Sequence, residues 1–237
     1  MTRQLAWTCV VLALASVVVA VGAQALQAWV GDLPIVWIPA DVSAWIEVVG
    51  FVTGIVAVYL VVRNNLWTWP IGILNVLVYG YFFFVIARHF ANAGLQVVFL
   101  IAQIHGWYAW TRRTTADKPV PIRAISLQAW VAVGVGIGVS TAALVPLLQE
   151  AGGNVPFFDA LTTGISLAAQ LLLNLKRVET WLLWIAADAI YVPLYIYRAY
   201  YPTAILYGVF FVLAVMGWVT WRRQMLADRE ARPAMPY

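Results

Sequence analysis

Apolar stretches long enough to cross a bilayer recur from one end of this 237-residue chain to the other. A membrane core takes about 20 mostly apolar residues per helix, within a range of about 17–25. Eight segments qualify as candidates: roughly 5–29, 46–62, 66–84, 93–111, 126–147, 157–174, 181–197 and 203–221. In lipid every backbone N–H and C=O must be satisfied within the protein, which leaves helices or closed barrels. Barrel strands would read as alternating stretches of about 10 residues, and these runs are longer and continuous. Composition agrees: 64% of residues are hydrophobic and 10% charged, against roughly 25% charged in soluble domains. The expected fold class is an all-α polytopic membrane protein.

Lysine and arginine set the expected orientation. With the N-terminus in the cytoplasm and alternating crossings, twelve of the 14 basic residues fall inside and only Arg88 and Arg198 fall outside. The connections 30–45 and 148–156 carry acids and no base. Cytoplasmic loops are the ones that collect Lys and Arg, so this reading makes the chain a multi-pass membrane protein with its basic connections in the cytoplasm. Both termini are then cytoplasmic if the first helix is kept. That first segment follows Arg3 and ends near Ala23-Gln24-Ala25, a small-residue pattern like a signal cleavage site. Its run exceeds the usual 7–15 apolar residues of a signal peptide, which favours a retained helix. The net charge of +4 is spread between spans and marks no nucleic-acid face. The single cysteine, Cys9, and two distant histidines, His89 and His105, give no disulfide framework and no metal centre.

The chain also repeats itself. Gly106-Trp107-Tyr108-Ala109-Trp110-Thr111-Arg112-Arg113 is echoed by Gly217-Trp218-Val219-Thr220-Trp221-Arg222-Arg223. Upstream, Ala93-Gly94-Leu95 matches Ala204-Ile205-Leu206, and Thr53-Gly54 is echoed by Thr163-Gly164. Residues 46–111 are therefore expected to form one three-helix repeat and 157–221 another. Between them lies a linker, 112–156, with the helix 126–147; residues 1–45 hold the N-terminal helix and an external loop, and 222–237 a basic cytoplasmic tail. Three helices plus one linker bring the second unit in from the same side as the first. The resulting 3+1+3 parallel-repeat core of seven helices, with one extra N-terminal helix, resembles the arrangement of SWEET sugar transporters.

Polar side chains inside spans are costly in hydrocarbon and normally face the protein interior or a water-filled cavity. Asp188 is the one acid deep in a core span. Trp181, Trp184, Asp188, Tyr191 and Tyr195 follow a 3-4-3-4 spacing that puts them on one helical face. Gln96 and Gln103 also share a face, as do Asn75 and Tyr79, and Gln170 and Asn174. Amides such as Gln170 and Asn174 can simply join helices, at about 0.6 kcal/mol each on average. A buried carboxylate with no base in any span is different: it is either protonated or matched to an incoming cation. Aromatic faces attract cations by about 0.5–2 kcal/mol, so the Asp188 face suits a flat, positively charged ligand. The residues show no paired acids, no nucleophile with its base and no metal cluster, so an intramembrane enzyme is not expected; a membrane protein that binds its ligand without moving it is the other class.

Three stretches carry a family resemblance: WIEVVGFVTGIVAVYLVVRNNLWTWPIGILNVLVYGYFFF, LQVVFLIAQIHGWYAW and RVETWLLWIAADAIYVPLYIYRAYYPTAILY. Over roughly residues 44–223 the chain resembles the PnuC family of nicotinamide riboside transporters. The resemblance implies uptake by facilitated diffusion through a central site between two repeats, followed by cytoplasmic phosphorylation for NAD biosynthesis. No cofactor is implied; the partners are a small-molecule vitamin and the lipid bilayer, with room for a homo-oligomer. It also implies that Trp181, Trp184 and position 188 line the site, with Asn75, Gln96 and Gln103 nearby. In that picture Trp184 and Tyr191 stack on the pyridinium ring, Asp188 neutralises it, and the amides meet ribose hydroxyls; Tyr79 and Gln170 complete the candidate set. Asp188 stands where many of these transporters are expected to carry asparagine. That departure keeps open a branch for another B vitamin, with cationic thiamine favoured over neutral riboflavin.

Overall fold

The computed structural model describes residues 40–86, 90–113, 120–150 and 155–231. The candidate first helix at 5–29, its possible cleavage site and most of the external loop lie outside these residues. Seven helices are described: α1 (Ala40–Val62), α2 (Thr68–Tyr81), α3 (Phe90–Arg113), α4 (Leu127–Glu150), α5 (Pro156–Asn174), α6 (Thr180–Tyr197) and α7 (Tyr201–Glu230). A π-helical turn, Phe82–Ile86, extends α2. The helices begin and end where the sequence changes character. Asn64, Lys176 and Ala199 have φ of 57°, 56° and 60°, the left-handed conformation that ends helices. Of the three residue types Asn visits it most readily; Pro156 then opens α5 at a position where its missing N–H costs nothing.

Five of the helices are long and apolar enough to cross a membrane: α2 with its π turn, α4, α5, α6 and α7. The apolar part of α1, Val48–Val62, is shorter, and α3 is diluted by Gln96, Gln103, His105 and its terminal arginines. The sequence places the end of the last span at 221, whereas α7 runs on to Glu230. Residues 222–230, the first part of the expected basic tail, are thus helical. Their Arg, Gln, Met, Leu, Ala and Glu are strong helix formers, so the helix continues although apolarity stops.

Packing is paired in a regular way. Each helix contacts its neighbour within α1–α2–α3 and within α5–α6–α7, and the two sets meet through α1 against α7 and α3 against α5. Among the described residues the backbone of α4 runs beside α5 and no other helix. α5 is the hub: 67% of its span is buried, against 22–33% for the other four spans. The outward faces of α4 and α7 carry Val131, Val135, Val139, Val212 and Val215, a surface suited to lipid.

A shift of 112 residues maps the interactions of the first set onto the second. Thr68 Oγ1 donates to Ala57 O at 2.9 Å, and Thr180 Oγ1 to Ala169 O at 2.8 Å. Asn64 N–H donates to Val61 O and Lys176 N–H to Leu173 O, at 2.8 and 2.9 Å. In the third helices the shift is 111, and there the pairing becomes reciprocal. Trp110 Nε1 donates to Leu173 O, and Trp221 Nε1 donates to Val61 O, both at 3.2 Å. Each set therefore supplies an indole N–H to a turn carbonyl of the other, as a second donor beside the turn's own backbone N–H. Trp69 meets Trp110 edge-on at 5.1 Å and Trp181 meets Trp221 edge-on at 5.4 Å, with Trp110 and Trp221 at 6.0 Å between them. The Thr53-Gly54 and Thr163-Gly164 pair does not follow this register. It is offset by 110, and its neighbours differ: Gly54 faces Asn75 and Phe210, Gly164 faces Ser140 and Ile137. That dipeptide match is a coincidence of small residues at helix contacts.

Candidate functional site

Asp188 lies two turns into α6 and is 2% exposed. No hydrogen bond or ion pair reaches its carboxylate among the described residues; the Tyr207 phenol of α7 lies near enough to feel its charge. An isolated buried carboxylate is unfavourable unless something neutralises it. Going along the same face toward the C-terminal end of α6, Tyr191 and Tyr195 stack at 5.9 Å. Tyr207 joins them, 4.4 Å from Tyr191 and 5.2 Å from Tyr195, the latter pair within 7° of parallel. The Tyr191 hydroxyl interacts with Thr162 and Ser166 of α5. Phe210 continues the layer edge-on to Tyr207 at 5.9 Å and borders Gly54, which Asn75 also faces. The aromatic layer thus links the Asp188 face of α6 through α7 to Asn75 on α2.

The sequence-predicted residues divide by what they touch. Trp184 is half-buried and packs against both apolar clusters, the tryptophan group and the α4–α5–α6 contact. Trp181 belongs to the tryptophan group itself: it is 2% exposed and its ring fills the space over Gly217. Trp69 does the same over Gly106, so the packing around Trp181 is duplicated where no acid follows. Asn75 Nδ2 donates to Gly50 O at 2.6 Å and Thr53 Oγ1 at 3.0 Å, which ties α2 to α1. Tyr79 lies over Gly50 and stacks with Phe83 at 5.9 Å, matching the Tyr191–Tyr195 pair at the 112-residue shift. Gln103 presses its amide against Gly72, and Gln96 lies over Gly80. Gln170 Nε2 donates to Asn174 Oδ1 at 3.0 Å, and Asn174 Nδ2 donates to Ala102 O at 2.8 Å and contacts His105 Nδ1 at 3.2 Å. That chain sews α5 to α3.

The register exposes an exchange of volume between the two sets. Gly72 corresponds to Trp184 and Gln103 to Ala214; Gly80 corresponds to Val192 and Gln96 to Tyr207. Where the first set pairs a glycine with an amide, the second pairs a larger apolar residue with alanine or tyrosine. One half of the bundle therefore offers hydrogen-bonding groups and the other offers rings and a carboxylate. Tyr207, Phe210 and Thr162 are absent from the sequence-predicted set. The signal for Tyr207 was available in the repeat, because it stands where Gln96 stands.

The turn between α5 and α6 carries buried charge at the opposite end from Asp159. Lys176 is 3% exposed, its ammonium 4.3 Å from the Trp110 ring centroid. Burial pushes its pKa down to about 8, opposed by the nearby Asp228 carboxylate. Burial raises Glu179, opposed by backbone N–H groups and by Arg177; its Oε1 accepts from Ile125 N–H at 3.0 Å. A short backbone pairing of Arg123 with the 176–178 turn brings the end of the α3–α4 connection to the same place. Among the described residues no three His, Cys, Asp or Glu side chains cluster as metal ligands. An open groove of about 390 Å³ between α1 and α2 is lined by Trp45, Ile46, Val49, Leu77, Val78 and Tyr81 and contains none of the predicted site residues.

Three comparisons converge. The family model described as nicotinamide mononucleotide transporter matches residues 44–223. The chain is 30% identical over 204 residues to the nicotinamide riboside transporter PnuC of Escherichia coli, covering 75% of this chain and 85% of that one. It is 29% identical over 197 residues to the riboflavin/roseoflavin transporter RibM of Streptomyces davaonensis, covering 81% and 90%. A crystal structure of the vitamin B3 transporter PnuC superposes with a TM-score of 0.66 at 20% identity over 90% of each chain, which establishes the shared fold. The chain belongs to the nicotinamide mononucleotide transporter family.

Proposed function

We propose that this protein is a transporter of nicotinamide riboside across the bacterial inner membrane, working by facilitated diffusion. The observation that carries the substrate class is Asp188: a buried carboxylate with no cationic partner, next to a wall of stacked phenols. A pyridinium ring supplies both the missing positive charge and a flat face for the aromatics. Trp184 and Tyr191 contact the ring, Asp188 neutralises it, and Gln103, Gln96 and Asn75 satisfy the ribose hydroxyls, which are costly to desolvate otherwise. Tyr79 and Gln170 support this shell, and Trp181 fixes the start of α6 beneath it. The two helix sets, read as parallel repeats, rock about the site. The basic turns at Arg63 and Lys176–Arg177 and the Arg222–Arg223 pair on α7 face the cytoplasm.

The similarity to RibM supports a second reading, a riboflavin carrier. The two differ in charge: riboflavin is neutral and gains nothing from a carboxylate. Uptake of labelled nicotinamide riboside into liposomes holding the purified protein tests the proposal, with excess unlabelled riboflavin, thiamine or nicotinamide riboside as competitor. Saturable uptake blocked by nicotinamide riboside and not by riboflavin is the expected result. Uptake of riboflavin with none of the cation would replace the first reading by the second.

A further inference from the structure

The geometry points to the three-tyrosine stack Tyr191–Tyr195–Tyr207, latched by the Arg198–Asp159 ion pair, as the outer gate over Asp188. This rests on the reading that solute reaches Asp188 from the side opposite the basic turns. Along α6, Asp188, Tyr191, Tyr195 and Arg198 follow one face at 3-4-3 spacing. A solute approaching Asp188 along that face meets the guanidinium first and the rings next. Arg198 Nη2 lies 2.8 Å from Asp159 Oδ2, joining the C-terminal end of α6 to the first turn of α5. Tyr200 closes edge-on against Tyr195 at 6.5 Å. With Tyr207 stacked on both α6 tyrosines, the rings bridge α6 to α7 and leave no separation for a planar ligand between them.

A gate must also be able to move, and the middle helices are weakened at equivalent places. Pro193 lies inside α6, where it removes a backbone hydrogen bond and favours a kink. Its counterpart at the 112-residue shift is Tyr81, and the π-helical turn of the first set begins at the next residue, Phe82. π turns and prolines are both identifiable causes of helix bending. Both lie just beyond Tyr191 and Tyr79, so the segments carrying Tyr195 and Phe83 can swing while the Asp188 level stays packed.

The test reads access rather than transport, so it does not depend on which vitamin is carried. In a Cys9→Ser chain, Asp188→Cys places a thiol beneath the gate. A membrane-impermeant maleimide is applied to sealed vesicles from the side opposite the basic turns. The parent should label slowly. Arg198→Gln should raise the rate at least threefold, in the range open to a partly exposed ion pair, and Tyr207→Ala at least tenfold. The charge-swapped Asp159→Arg, Arg198→Asp chain should label slowly again. Asp159→Asn, which keeps side-chain size, reports the same latch if Arg198→Gln fails to fold. Unchanged rates in folded Arg198→Gln or Asp159→Asn together with Tyr207→Ala, or fast labelling of the parent, would overturn the gate. Absence of nicotinamide riboside uptake by the chain that keeps Asp188, with the labelling pattern of the Asp188→Cys chains intact, would instead count against the proposed substrate.

Discussion

Gly217→Ala should destabilise the bundle through one contact, and the contact can be removed. A methyl group built on Gly217 would lie under 3.0 Å from three carbons of the Trp181 indole, where ordinary contact begins near 3.4 Å. The indole cannot step aside easily: it is 2% exposed and held edge-on by Trp221. Forcing a methylene into a packed core costs about 1–3 kcal/mol. At roughly 2–4 °C per kcal/mol for a chain of this size, the melting temperature in detergent should fall by about 2–12 °C. Gly106→Ala should behave alike, since its added methyl would meet Trp69 and Asn174 Oδ1. Trp181→Leu creates room, so the double variant Trp181→Leu, Gly217→Ala should be at least about 1 kcal/mol more stable than the two single effects summed, a coupling expected of residues in contact. Thermal unfolding followed by tryptophan fluorescence measures all four chains. Additive effects within about 0.5 kcal/mol, or a Gly217→Ala chain as stable as the parent, would refute the packing argument.

Other outcomes follow from the same geometry. Trp110→Phe and Trp221→Phe each remove one reciprocal indole-to-carbonyl bond, so each should lower stability by about 1 kcal/mol and by similar amounts, as denaturation curves would reveal. Asn174→Leu breaks the link between α5 and α3 and strands the Gln170 amide in the core; a loss of about 1–3 kcal/mol, measured the same way, is expected. The lowered pKa of Lys176 has a definite sign. Between pH 8 and its ordinary value near 10.5, the unfolded chain holds a proton that the folded one has lost, so this group makes stability rise with pH there. Lys176→Gln should flatten that rise in a pH series of melting temperatures.

Much of the helix plan was legible because a bilayer imposes a minimum span, and apolar run length reports it directly. The boundaries of α5 and α6 were expected within one residue, since a Gly- and Asn-bearing connection before Pro156, the charged turn 175–179 and Arg198 interrupt the runs. The C-terminal end of α7 was not legible in the same signal: residues 222–230 are charged and helical, and hydropathy cannot separate a solvated helix from a tail. Asp188 stood out because an acid in a span is rare. Trp181 shared its face by spacing, yet its surroundings depend on Gly217, 36 positions away, which pairs with it only in three dimensions. Tyr207 escaped notice because one phenol in an apolar span raises no alarm. Only the 111-residue register of the third helices, fixed by Trp110 and Trp221, turns it into the counterpart of Gln96. The reciprocal tryptophan bonds were hinted at by the repeated Gly-Trp ends, but their crossing to the other helix set was not.

The most direct test of the account is calorimetric binding of nicotinamide riboside and riboflavin to purified parent and Asp188→Asn protein. Asparagine keeps the size and removes the charge, so nicotinamide riboside affinity should fall at least tenfold, about 1.4 kcal/mol, while riboflavin binding stays as it was. Equal nicotinamide riboside affinity for the two chains would contradict the claim that this buried carboxylate receives a cation.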